Sequence, residues 1–114
     1  MSVKLSVRHV DDVVVIDAGG RITIGEEATA FRKTIQNVGK LRPKKVLLNL
    51  AGIAYVDSSG TGEMVAALTL IANLGAELKL VKVGKRVRDV LKIAQLTPLF
   101  QIYEDEAAAI QSFR

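Results

Sequence analysis

The sequence contains no cysteine, no tryptophan and only one histidine, His9. The absence of cysteine excludes disulfides and thiolate metal sites, and a single imidazole leaves few arrangements for a metal centre. Aromatic residues make up only 4% of the chain, so the stacking platforms of single-stranded nucleic-acid binding are scarce. Two prolines, 49% hydrophobic and 25% charged residues predict a folded domain rather than a disordered chain.

Long hydrophobic runs are also missing. No stretch approaches the roughly 18 apolar residues of a membrane span. The first residues alternate polar and apolar side chains, unlike a signal peptide. We therefore expect no membrane association and a cytoplasmic location. A length of 114 residues predicts one domain, residues 1–114, with a core of its own.

The charge is moderately basic, with a net charge of +4. Two groups of basic residues stand out, namely Lys40, Arg42, Lys44 and Lys45, and Lys82, Lys85, Arg86 and Arg88. Because aromatic partners are few, we interpret both groups as solvated surfaces and expect no direct binding of nucleic acid. The second group could attract an acidic partner surface.

Hydrophobic periodicity predicts alternating strands and helices. The predicted strands are residues 3–8, 13–17, 45–50, 78–83 and 100–103, and residues 21–23 are candidates to extend the second strand. The predicted helices are residues 26–38, 60–74, 85–96 and a last helix capped by Asp105. The order β-β-α-β-α-β-α-β-α predicts a single α/β domain with a small, mixed, mainly parallel sheet.

Turn residues predict where these elements end. Asp11 and Asp12 suit a tight hairpin turn between the first two strands. Gly39 and Gly75 are each predicted to cap the C-terminus of a helix. Pro98, preceded by threonine, is predicted to stop the third helix.

Six small or polar residues stand between the third predicted strand and its helix, and they are Asp57, Ser58, Ser59, Gly60, Thr61 and Gly62. Asp57 or Ser58 is predicted to cap the helix N-terminus. The two glycines remove side chains, so that a phosphate or the backbone of another molecule could approach. From these residues alone, an ordinary helix cap and a phosphate-accepting hydroxyl both remain open.

The run VLLNLAGIAYVDSSGTGEMVAA, residues 46–67, resembles the signature of STAS domains, in particular of the bacterial anti-sigma factor antagonists. Further similarity lies in Gly20-Arg21-Ile22 and in GAELKLVKV, residues 75–83. The resemblance covers essentially the whole chain, and the family has the element order predicted above. It therefore implies a single STAS domain.

The resemblance also implies a function. In this family the unphosphorylated antagonist binds an anti-sigma factor that is a serine kinase, and the sigma factor is released. The kinase phosphorylates the serine after the aspartate, here Ser58, and the antagonist dissociates until a serine phosphatase removes the phosphate. Asp57 would shape the site, and residues 57–62 would meet the partner. The kinase holds the ATP, so the resemblance implies no cofactor for this chain, and the composition leads us to expect no metal site.

Thr61 departs from the family pattern, which has an apolar residue there, so Ser59 and Thr61 are alternative phosphate acceptors. A second interpretation keeps the fold but makes the domain a scaffold or a subunit of a sensory complex or transport system, without a sigma-factor circuit. Neither the identity of kinase, sigma factor and stimulus nor the choice between monomer and dimer follows from the sequence.

Catalysis is a third possible function, and we do not expect this chain to be an enzyme. Ser58 as a nucleophile needs a base within hydrogen-bond reach, but the only imidazole, His9, is predicted on the first strand. The residues around Ser58 do not form a Gly-x-Ser-x-Gly elbow. Glu63 is interpreted as complementing the positive end of the helix dipole.

Overall fold

The computed structural model describes residues 2–113. In chain order its elements are β1 (Val3–Val10), β2 (Val13–Ile22), α1 (Glu26–Lys40), β3 (Lys45–Val56), α2 (Ser58–Asn73), β4 (Glu77–Val81), α3 (Lys85–Ile93), a 3-10 turn (Thr97–Leu99), β5 (Ile102–Tyr103) and α4 (Glu106–Gln111). The predicted order of strands and helices is confirmed.

The five strands form one sheet in the order β1-β2-β3-β4-β5. β1 and β2 form an antiparallel hairpin closed by the pair Val10 and Val13, as the turn residues predicted. The pairs from β2 to β5 are parallel, because a helix or helical turn crosses between each strand and the next. The predicted mixed, mainly parallel sheet is confirmed.

The sheet separates two unequal cores. On one face, side chains of α1, α2 and α3 pack on the strands in a large cluster, with Phe31, Met64 and Leu91 fully buried. On the other face, α4 covers a smaller cluster that includes Val15 and Phe113. Residues 13–16 are buried throughout, as a β-branched run between two layers predicts.

Two polar anchors hold α4 on the smaller core. Lys79 of β4 is only 3% exposed, and its ammonium donates hydrogen bonds of 2.8 Å to the carbonyl and to the hydroxyl of Ser112. The same ammonium lies 4.7 Å from the ring centre of Phe113. Arg8 of β1 forms ion pairs of 2.6 Å with both Asp17 and Glu106. The buried cation is therefore satisfied by the helix that it anchors.

Several boundaries differ from the prediction. β3 continues to Val56 rather than ending at residue 50, because its second half pairs with the end of β2. α1 was predicted to end at residue 38 with Gly39 as its C-terminal cap, but the helix continues to Lys40. A Cβ on Gly39 would lie 3.1 Å from the Leu70 side chain, so this glycine serves close packing of α1 on α2.

The end of α2 agrees with the prediction, whereas the end of α3 does not. Gly75, with φ of 77°, follows the end of α2, and the amides of residues 75 and 76 bond to the carbonyls of Ala72 and Ile71, which is a Schellman motif. The third helix was predicted to reach residue 96, but α3 ends at Ile93. Pro98 instead lies in the following 3-10 turn.

Candidate functional site

The residues 57–62 lie where β3 ends and α2 begins. Asp57 is the N-cap of α2, and its Oδ1 accepts a hydrogen bond of 2.9 Å from the Gly60 amide. The sequence left the cap open between Asp57 and Ser58, and the structure places it at Asp57. This is the C-terminal edge of the parallel strands, where open α/β sheets usually bind their ligands.

Asp57 also joins the helix to β2. Its Oδ2 accepts a hydrogen bond of 2.9 Å from the Ile24 amide, and its own amide donates to the Ile22 carbonyl at 3.3 Å. Partial burial alone would raise the pKa of the Asp57 carboxyl, but hydrogen bonds from the Ile24 and Gly60 amides outweigh this effect, and the pKa is lowered. Asp57 is therefore a fixed anion at neutral pH.

The two glycines of the site have different roles. A Cβ on Gly60 would lie 2.1 Å from the Ile22 carbonyl oxygen, so Gly60 is required for α2 to begin against β2. On the side where a Cβ would lie, the space beside Gly60 is filled by the chain itself, and contact of a partner with Gly60 stays a prediction. Gly62 is exposed, and a Cβ there would meet nothing within 4 Å. Only Gly62 leaves open surface.

The three hydroxyls are not equally accessible. Ser58 is exposed at the first position of α2, and Ser59 is half-buried. Thr61 is only 5% exposed, and its hydroxyl donates to the Ser58 carbonyl at 3.0 Å. The structure therefore presents Ser58 to solvent and keeps Thr61 within the fold.

An apolar side chain lies beside these residues. Ile24, in the loop after β2, is 76% exposed, although its amide is fixed by Asp57. Gly62 is one helical turn beyond Ser58 and therefore on the same side of α2. We call Ile24, Ser58 and Gly62 the Ser58 surface. Ile24 was not predicted as a site residue, because the hydrogen bond that brings it to the site joins residues 33 positions apart.

Basic residues lie at both ends of the parallel strands. One group follows the C-terminal end of β4, at the same end of the strands as Ser58, and consists of Lys82, Lys85, Arg86 and Arg88. The other group precedes β3, at the opposite end of the strands, and consists of Lys40, Arg42 and Lys44. Arg86 lies over the ring of Tyr55, 5.3 Å from its centre. Only the first of these groups is placed to act on a molecule bound near Ser58.

Glu63 has a different role from the one predicted. Its carboxylate accepts two hydrogen bonds, of 3.2 and 3.1 Å, from the Arg32 Nε. This ion pair ties α1 to α2 on the flank of the site. Arg32 was not singled out in the sequence, because nothing in its spacing indicates a partner 31 positions away.

Metal-binding groups and membrane-spanning helices are two other kinds of feature that would bear on function, and neither is found among the described residues. Among residues 2–113, histidine and acidic side chains do not gather in groups of three or more that could hold a metal ion. Within the same range, each helix is too short or too polar to cross a bilayer. The chemistry available at this edge is that of an exposed hydroxyl beside a fixed carboxylate.

Comparison with known proteins shows the same fold over nearly the whole chain. The TM1081 homolog of Thermotoga neapolitana is 30% identical over 106 residues, which cover 90% of both chains. The crystal structure of TM1081 from Thermotoga maritima superposes with a TM-score of 0.83 at 28% identity, covering 96% of this chain and 94% of that one.

SpoIIAA, an anti-sigma factor antagonist, matches in two states. Its unphosphorylated form gives a TM-score of 0.76 at 18% identity over 96% of this chain and 95% of its own. The phosphorylated form from Bacillus gives 0.73 at 19% identity over 97% and 100%. Residues 4–109 match the sequence profile of the STAS domain. The chain belongs to the STAS domain family.

Proposed function

We propose that this protein is an anti-sigma factor antagonist controlled by phosphorylation of Ser58. In the unphosphorylated state the Ser58 surface binds an anti-sigma factor that is also a serine kinase. Phosphorylation of Ser58 ends the complex, and a serine phosphatase restores it. The observation that carries the proposal is the exposed hydroxyl of Ser58 at the N-terminus of α2, next to the Asp57 cap.

The position of Ser58 explains why a phosphate need not unfold the domain. A phosphoserine adds about −1.5 to −2 charges at neutral pH. At a helix N-terminus the dipole favours an anion by about 0.3–1 kcal/mol. Ser58 is exposed, so the phosphate stays hydrated while the core of the domain is unchanged.

The same charge acts strongly on a docked partner. An interface over Ile24 and Ser58 would enclose the phosphate with the Asp57 carboxylate, whose pKa is already lowered. Removing two like charges from water together opposes binding through both desolvation and repulsion. Phosphorylation would therefore change which partner the surface holds and leave the fold intact.

Relatives support this proposal. SpoIIAA has been solved in phosphorylated and unphosphorylated forms, and both share the fold of this chain. A protein of Paenibacillus polymyxa, 21% identical over 110 residues, is an anti-sigma F factor antagonist. The proposed partners act on sigma factors, so the proposal places the protein in the cytoplasm and gives it no catalytic role.

The test begins with the protein purified from its own cells. Intact-mass measurement followed by peptide mapping should find a phosphate on Ser58. Ser58→Ala should stay folded and retain the co-purifying kinase, whereas Ser58→Asp should stay folded and lose it. Ser59→Ala is the matched control and should behave as the native protein.

Two results would overturn the proposal. One is native protein without phosphate at residue 58 under every growth condition tried. The other is equal recovery of partners by Ser58→Ala and Ser58→Asp. Recovery of transporter or sensory-complex subunits instead of a kinase would favour a STAS scaffold.

A further inference from the structure

The two edge strands of the sheet, β1 and β5, differ greatly in length. β5 contributes only Ile102 and Tyr103, whereas β1 pairs with β2 without interruption from Val3 to Val10. β1 is the outermost strand, so within residues 2–113 no strand lies beside the outer side of its backbone. Exposed edges of this length are templates for pairing with another chain.

Two features that usually guard an edge strand, proline and a bulge, are absent from β1. Residues 3–10 include no proline, and the register with β2 shows no bulge. Arg8 does not shield the edge, because its guanidinium is held by Asp17 and Glu106. Val7, in the middle of the strand, is 43% exposed. An apolar side chain therefore marks the centre of this edge strand, and its lysine, Lys4, lies near the start of the strand.

The hairpin determines which backbone groups face outward. A two-residue loop closed by Val10 and Val13 makes that pair a hydrogen-bonded one, and such pairs alternate along an antiparallel ladder. The amides and carbonyls of Leu5, Val7 and His9 therefore point away from β2. They can bond to a further strand without disturbing the hairpin.

We propose that β1 pairs with β1 of a second copy of this chain, antiparallel and about a two-fold axis at Val7. Val7 then lies opposite the partner's Val7, and Leu5 lies opposite the partner's His9. Each of these pairs can exchange two backbone hydrogen bonds. The two five-stranded sheets become one continuous sheet, independently of any role of Ser58.

The charges on β1 favour this register. With the axis at Val7, Lys4 lies opposite the partner's Val10 and Arg8 lies opposite the partner's Ser6, so no cation is directly opposite a cation. An axis at Ser6 would place Lys4 opposite the partner's Arg8, and an axis at Arg8 would oppose two guanidinium groups. Like charges directly opposite each other destabilise a strand pair.

The position of α1 also permits the pairing. Val3 and Leu5 are half-buried against the larger core, and Val3 lies beside residues of α1. Val7 and His9 are exposed. Because the two strands run in opposite directions, the covered half of each β1 meets the uncovered half of its partner. The two α1 helices therefore lie at opposite ends of the new strand pair.

Sedimentation equilibrium of the full chain tests the proposal. We expect a reversible dimer with twice the monomer mass of 12.3 kDa. Val7→Pro removes an outward amide that β2 does not use, and Val7→Lys brings two cations together on the axis. Both should raise the dimer dissociation constant by about tenfold or more, whereas Val7→Thr, which keeps the amide and the branched side chain, should still dimerise.

Cross-linking tests the register directly, because the native chain has no cysteine. Val7→Cys should form a disulfide-linked dimer under mild oxidation, since directly opposite residues lie within reach of a disulfide. Thr69→Cys, exposed on α2, should not at the same concentration. A protein that stays monomeric at millimolar concentration, or a dimer that Val7→Lys leaves unchanged, overturns the proposal.

Discussion

Gly60 and Gly62 are two residues apart on α2, yet the structure gives them opposite sensitivities. An alanine methyl at Gly60 would overlap the Ile22 carbonyl, 2.1 Å away, whereas at Gly62 it would meet open space. Gly60→Ala should lower the free energy of unfolding by about 2 kcal/mol or more, because the start of α2 must shift. Urea unfolding followed by circular dichroism measures this change.

Gly62→Ala is the control for that substitution. In an exposed helical position alanine should stabilise the protein by about 0.5–1 kcal/mol, because it restricts the unfolded chain. Equal effects of the two substitutions would contradict the packing assigned to Gly60.

Asp57 makes stability depend on pH in a defined direction. Its pKa is lowered in the folded protein from the ordinary value of 3.8, so the folded state favours the ionised form. This contribution is fully present above the unfolded pKa and is lost as the pH falls through the lower, folded pKa. Asp57→Asn keeps the shape but not the charge, so its deficit in unfolding free energy should be constant at pH 6–8 and shrink below about pH 4.

Denaturant titrations of both proteins at several pH values test this prediction. Asp89→Asn is a suitable control, because Asp89 pairs only with the exposed Lys85 at 3.0 Å. A deficit for Asp57→Asn that persists unchanged at pH 3 would show that the carboxylate charge is not involved.

At the scale of elements, α4 is the helix that depends most on tertiary contacts. It has six residues, which is too short to be stable alone. Glu106→Gln removes one carboxylate from Arg8 and should loosen α4 by about 1 kcal/mol or less, since the pair is partly exposed. Hydrogen exchange should accelerate in residues 106–111 while residues 58–73 keep their protection. Equal acceleration in both helices would contradict independent docking of α4.

The order of the elements could be predicted because each helix carries a local apolar stripe, such as Ala28, Phe31 and Ile35 in α1, all buried in the fold. The length of β3 could not, because Ala51, Gly52 and Ala54 are poor strand formers, and this part of the chain is extended by pairing with β2. Local propensity yields there to a partner distant in the sequence.

The candidate site shows the same division. The Asp57 cap was among the predicted possibilities because side-chain capping is a local interaction. The second bond of Asp57, to Ile24, and the contact of Gly60 with Ile22 join residues more than 30 positions apart. No periodicity records such contacts, so the apolar part of the Ser58 surface appears only in three dimensions.

For the whole molecule, we expect the basic residues at the two ends of the strands to differ in their effect on partner binding. Lys82→Gln with Lys85→Gln removes two positive charges from the edge of Ser58, and Lys40→Gln with Lys44→Gln removes two from the opposite edge. Each double variant has a net charge of +2, from the native +4. Only the first should weaken binding to the kinase recovered with the native protein and reduce its salt dependence. Titrations at several ionic strengths measure the affinity and its salt dependence. Equal losses of affinity in the two double variants would show that Lys82 and Lys85 do not contribute to the interface.

The unequal edges of the sheet have a consequence for assembly. A chain with two long free edges can add copies without limit and grow into a filament. Here β5 offers only two residues, and a two-fold contact through β1 uses the same edge of both copies. Association through β1 therefore stops at the dimer, because the dimer has no long edge strand left for a third molecule.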